Sequence, residues 1–259
     1  MNQEMLAELV LQSQSGDKDA LEQLLLLSYT PVSYLTNKIL QDPRTAGDVT
    51  WEVLEIVSTN LSSLQEPAQF EQWLCRMTAA RCIHAAPLLH RNFADASEPV
   101  SWEDDLKNDT VLSEEESEDA IQNMVDYLPE GQRLCILLLS CGELTVPAIA
   151  QLTGFSEASI KQNIKYGQKA IQQHLWELDE RGIQFAGLSS LTGILHDAMY
   201  HNPDEEAAMQ MVYSILGKKP PVSVSTWIVR LLTVVVILLL AAVLVLGGII
   251  VMKMMGIMG

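Results

Sequence analysis

The 259 residues carry 33 acids against 16 bases, a net charge of −17 at pH 7, with 48% apolar and only 6% aromatic residues. So large an acid excess excludes adhesion to nucleic acid by diffuse charge, because phosphates would be repelled. The apolar share excludes a disordered chain. Four cysteines with neither a CxxC pair nor zinc-finger spacing point to reduced, buried thiols rather than a metal or disulfide scaffold.

Leu, Ala, Gln, Glu and Met favour helix over strand, and no long alternation of β-branched residues argues for a sheet. The expected fold class is all-α: two small helical domains joined by an acidic linker, followed by one C-terminal transmembrane helix. The first domain covers residues 1–93. Leu6, Leu9, Val10, Leu21, Leu24 and Leu25 recur at helical spacing. Asp42-Pro43 marks a turn after Ile39 and Leu40. The next helix is predicted over about 45–61, with Val49, Val53, Ile56 and Val57 inward. Another is predicted over about 68–85, ended by Pro87.

Residues 94–120 are acidic and weakly periodic, and read as a solvated linker. The second domain covers residues 121–182. In it Thr145 and Pro147 open a short helix, Gly154-Phe155 makes a turn, and Ser156 caps a second helix. Ile160, Ile164, Ile171, Leu175 and Leu178 form the apolar stripe predicted for that helix. Two helices joined by a Gly-containing turn are the helix-turn-helix pattern.

A juxtamembrane segment, 183–225, contains a helix start at Asn202-Pro203-Asp204, with Asn202 as the expected cap. Residues 226–252 are the expected membrane span. The run 231–252 has no charge and only Thr233 as a polar side chain. As a helix it would measure about 33 Å, against a hydrocarbon core of about 30 Å. Lys218, Lys219 and Arg230 precede the run and only Lys253 follows it, so the positive-inside rule places the N-terminal domains in the cytoplasm of a single-pass protein. The start, MNQEMLAELV, lacks the basic and apolar regions of a signal peptide.

Charge is unevenly spread. Residues 1–217 hold 33 acids and 12 bases, a net of −21. Within this anionic stretch, residues 72–94 have no acid and contain Arg76, Arg81 and Arg91. Residues 158–176 also have no acid and place Lys161, Lys165 and Lys169 on one helical face. Such a row offers phosphate partners, while Ser159, Gln162 and Asn163 are candidate base readers. There is no glycine-rich phosphate loop, no motif of paired carboxylates and no nucleophile–base signature, so no enzyme, cofactor or metal site is expected. His196 and His201, five apart, do not share a helix face.

Several segments in this order resemble a known family. Ser15-Gly16-Asp17 with Ala20-Leu21 resembles the opening of region 2 of the small bacterial RNA polymerase sigma factors of the extracytoplasmic-function (ECF) group. The stretch Asp48-Val49-Thr50-Trp51-Glu52-Val53-Leu54 resembles their core-binding helix, and Phe70 to Met77 resembles the segment before the −10-reading surface. Leu128-Pro129 with Arg133, residues 148–156, and Ser159-Ile160-Lys161 resemble region 4. Trp51, Ala80, Asn163 and Tyr166 depart from the usual pattern.

The likeness spans about 1–182 and implies a division of labour. Asp48, Val49, Trp51, Glu52 and Leu54 would bind core RNA polymerase. Arg76 and Arg81 would meet the −10 strand of promoter DNA. Ser156, Ser159, Lys161, Gln162, Asn163, Lys165 and Lys169 would meet the −35 element. A membrane anchor implies regulation through an anti-sigma or protease partner. Two other readings share these features: a tethered helix-turn-helix regulator acting without polymerase, and a degenerate sigma-like adaptor that binds proteins.

Overall fold

A computed structural model describes residues 3–86, 100, 102, 104–187, 190–201 and 204–218. The expected span at 226–252, Pro87, Arg91 and the Asn202-Pro203 pair lie outside the described residues. No helix among the described residues is long and apolar enough to cross a membrane.

Ten α-helices are present among the described residues. The first four are α1 Gln3–Gln14, α2 Lys18–Leu40, α3 Pro43–Asn60 and α4 Phe70–Ala85. Their starts and stops follow local chemistry. The Asp17 carboxylate caps α2 by accepting from the backbone N–H groups of Asp19 and Ala20. Gln41 closes α2 in the left-handed region at φ 52°, and Asp42 then caps α3 with Pro43 in its first turn. The predicted turn at Asp42-Pro43 is thus a C-cap followed directly by an N-cap. Leu24, Leu25, Leu35, Val49, Val53, Leu54 and Val57 fill the core among these helices. Ile56, expected inward, is only half-buried, and Leu54 takes the core position instead.

The second group is α5 Glu114–Tyr127, α6 Glu130–Ser140, α7 Val146–Thr153 and α8 Glu157–Glu180. Helix α5 corrects the linker reading, because it begins seven residues before the expected domain boundary at 121. Ser113 and Glu116 form a reciprocal capping box, and Glu114, Glu115 and Glu116 lie at the positive end of the helix dipole. Glu114, Glu115 and Glu116, among the acids that suggested a solvated linker, are in fact a helix start. Upstream, Asp104 binds Arg181 at 2.9 Å and Trp102 stacks on His174 with ring centroids 4.4 Å apart. Val111–Leu112 (β1) and Gln184–Phe185 (β2) make a two-residue parallel pairing.

Two further helices, α9 Leu191–Tyr200 and α10 Glu205–Ile215, follow. Asp204, not Asn202, caps α10, with its carboxylate accepting from the Ala207 N–H. An acid there serves the helix dipole as well as the orphan N–H.

Up to Lys218 the chain forms one compact unit. Helix α2 packs on α6 and α4 packs on α7, so the two groups share an interface. At that interface Lys38 pairs with Asp126 at 2.6 Å, and Gln41 donates to the Asp126 carbonyl at 2.7 Å. Arg133, only 4% exposed, donates to the carbonyls of Leu128 at 2.8 Å and Ile39 at 3.4 Å. Burial lowers the pKa of the Arg133 guanidinium from its ordinary value, and nearby Glu130 and Asp126 oppose that shift.

Candidate nucleic-acid interface

The helix-turn-helix is built by α7, a turn and α8. Thr145 occupies the cap position of α7, yet its side chain makes no capping hydrogen bond there; Pro147, near the helix start, needs no donor partner. Gly154 ends the helix at φ 77°, in the left-handed region that side chains disfavour. Ser156 caps α8 by accepting from the Ser159 N–H at 3.2 Å. The chain therefore reverses within three residues, which sets α8 across α6 and α7.

The buried face of α8 is Ile160, Asn163, Gly167, Ile171, His174 and Leu178. It is rotated from the predicted apolar stripe, leaving Ile164 and Leu175 half-buried. Close helix approach decides this. A Cβ on Gly167 would lie 3.2 Å from Ile136 Cγ1 and 3.4 Å from Gln132 Cβ, so the smallest residue marks the line of contact with α6.

Asn163 is consequently not a base reader. It is 1% exposed, its Nδ2 donates to the Ser159 carbonyl at 3.0 Å, and its Oδ1 has no hydrogen-bond partner. Ser156 is committed to its cap, and Ser159 is half-buried.

Lys161, Gln162, Lys165 and Lys169 are exposed. Four residues of helix separate successive lysines by about 6 Å along the axis, giving a straight cationic row. At its N-terminal end Lys161 is 3.5 Å from Glu157, an exposed i, i+4 pair that yields readily to a stronger anion. Gln162, one residue from Lys161, carries an exposed amide beside the row.

On α4, Arg76 is exposed, whereas Arg81 is half-buried and forms an ion pair with Glu52 of α3 at 3.0 Å. Two of the expected contacts therefore bind each other in this state. On α3, Asp48 and Trp51 are exposed, and Trp51 leaves 40% of its surface in solvent. Val49 and Leu54 are not available to a partner: they are 3% and 0% exposed, because their positions point into the helical core. The outward row is Asp48, Trp51, Glu52 and Glu55. Glu55 was not anticipated, although its spacing of seven from Asp48 was visible in the sequence.

Comparison with known proteins bears on this geometry. Residues 118–170 match the family model described as Sigma-70, region 4. The matched stretch begins within α5 and ends past the lysine row of α8. The chain is also 23% identical over 184 residues to the ECF RNA polymerase sigma factor SigW of Bacillus subtilis (strain 168). That likeness covers 67% of this chain and 98% of the relative.

Proposed function

We propose that this chain is a membrane-tethered, ECF-type sigma factor that binds core RNA polymerase and directs promoter-specific initiation. The observation that carries the reading is the coincidence of the region 4 match with an exposed Lys161–Lys165–Lys169 row on the second helix of a helix-turn-helix. Near full-length similarity to a sigma factor supports extending it to the first four helices. In this reading residues 1–93 and 114–182 are the two functional parts. Asp48, Trp51, Glu52 and Glu55 meet polymerase, Arg76 and Arg81 meet the −10 strand, and the α8 row meets phosphates at −35. The role is non-catalytic. The uncharged run 231–252 and its flanking bases support the tether and the cytoplasmic placement of the N-terminal part.

The net charge of −21 over residues 1–217 has a consequence. Diffuse attraction to DNA is absent, so promoter contact depends on polymerase supplying the remaining grip. Run-off transcription with purified core polymerase on genomic fragments tests the reading. Specific transcripts are expected with the full chain, and Lys165→Glu with Lys169→Glu should reduce them at least tenfold while polymerase binding persists. Polymerase binding without any transcript would identify a protein-binding adaptor. Promoter binding without polymerase would identify a one-component regulator.

A further inference from the structure

Helices α9 and α10 follow the stretch that matches region 4, and α9 is packed against both helical groups. Helix α9 lies on α2 and also on α5 and α6. Its Tyr200 hydroxyl donates to Glu71 of α4 at 2.9 Å, and the Cys141 thiol after α6 lies 3.4 Å from its Leu195 carbonyl. Ile194, Leu195 and Met199 of α9 are at most 3% exposed. Helix α10 is seated on α2 and α3 through Ala208 and Val212, 5% and 0% exposed. Just past it, Lys218 forms an ion pair with Glu22 of α2.

This arrangement restricts reach. A compact unit of about 218 residues has a radius of gyration near 17 Å, hence a diameter of roughly 45 Å. Two promoter elements centred about 25 base pairs apart are about 85 Å apart at 3.4 Å per pair. The cationic surfaces of α4 and α8 cannot occupy both while the helical groups stay together. Nothing needs to cover the lysine row for it to be ineffective; holding it too near α4 is enough.

We infer that α9 is an intramolecular clasp that reinforces the direct interface and keeps the two helical groups closed, and that release of the clasp is the step that permits binding to a two-element promoter. The inference rests on the sigma-factor reading for its function, but the clasp itself is a property of the packing. The burial of Ile194 and Leu195 supplies its strength, since each removes a large aliphatic side chain from water. The hydrogen bond from Tyr200 to Glu71 fixes its register. Helix α10 holds the end of the described chain on the first group.

The test uses the full chain in detergent micelles. The native thiols are all buried, so exposed cysteines introduced by Thr59→Cys and Gln172→Cys take donor and acceptor dyes selectively. Energy transfer then reports the distance between α3 and α8. Leu195→Asp places a charge in an apolar contact of α9 and should displace that helix, lengthen that distance and raise run-off transcription at least tenfold at limiting polymerase. Tyr200→Phe removes one hydroxyl without altering packing, and should raise transcription two- to fivefold in a chain with unchanged helix content.

An unchanged distance in Leu195→Asp, with α9 shown to be displaced by its hydrogen exchange, would overturn the clasp. So would unchanged transcription in both variants alongside normal polymerase binding. A lengthened distance in a chain that binds no polymerase would leave the clasp standing and sink the sigma-factor reading instead.

Discussion

The first four helices and the following four both enclose aliphatic cores, but they bury different kinds of polar group. In the first group these are hydroxyls, and apart from the Thr36–Thr50 pair between α2 and α3 they are satisfied locally. Ser28 donates to the Leu24 carbonyl at 2.7 Å, Thr50 to Ala46 at 2.7 Å and Thr78 to Leu74 at 2.8 Å, each within one turn of its own helix. The second group also buries hydroxyls, at Ser117, Ser140 and Thr153, but adds the larger polar side chains of Gln132, Arg133, Asn163 and His174. Arg133 spans the interface to α2, and His174 lies beneath Trp102 with Asp104 at 3.9 Å. A hydroxyl bonded to the carbonyl one turn back asks nothing of the tertiary structure. A guanidinium or imidazole in the interior depends on all of it.

The contrast can be broken most directly at Arg133. Arg133→Ala removes the donor for carbonyls of Leu128 and Ile39 and leaves a cavity at the interface, so denaturant unfolding should show a loss of about 3 kcal/mol. Thr78→Val in the first group should cost less than about 1 kcal/mol, since the Leu74 carbonyl keeps its helical partner. Equal costs at the two sites would erase the distinction.

Gly167 sharpens the comparison next. Gly167→Leu forces α8 away from Ile136 and Gln132 and should destabilise by about 2 kcal/mol through overpacking, with a lower thermal midpoint as the readout. Gly167→Ala gains helix propensity against a tight contact and should stay within about 1 kcal/mol of the parent.

The smallest effect is at Asp104. The hydrogen bond from Arg181 holds its carboxyl below the ordinary aspartate value, despite some opposing desolvation. A depressed folded pKa means the pair's contribution is complete above the ordinary aspartate value and is lost as pH falls through the lower folded one. Asp104→Asn should therefore reduce stability at neutral pH slightly, and the difference from the parent should vanish in acid below that range. A difference that grew on acidification would contradict the assignment.

Buried thiols show the limits of local reading in a milder form. Cys75, Cys82 and Cys135 have thiols pushed up to about 12 by burial, as expected for inert core cysteines. The sequence did not reveal that Cys75 lies against Gly142, where an added Cβ would collide with its sulfur. That contact joins α4 to the turn after α6.

Caps and periodicity were legible because they act over one helical turn. Ser156 satisfies a nearby N–H group where its position suggested a cap, although Thr145 makes no such bond, and Gly154 takes a positive φ at the turn read there. The exposed lysine row on α8 followed from spacing alone. Two features required the fold. The rotation of α8 that buries Asn163 depends on the fit of Gly167 against α6. The seating of α9 on the first helical group depends on apolar faces separated by more than a hundred residues of chain. The start of α5 inside an acidic stretch rests instead on the Ser113–Glu116 box, a local signal that was overlooked among the surrounding acids. Short-range hydrogen bonding and side-chain periodicity are written residue by residue, whereas which face is buried, and against what, is decided only when distant surfaces meet and exclude water.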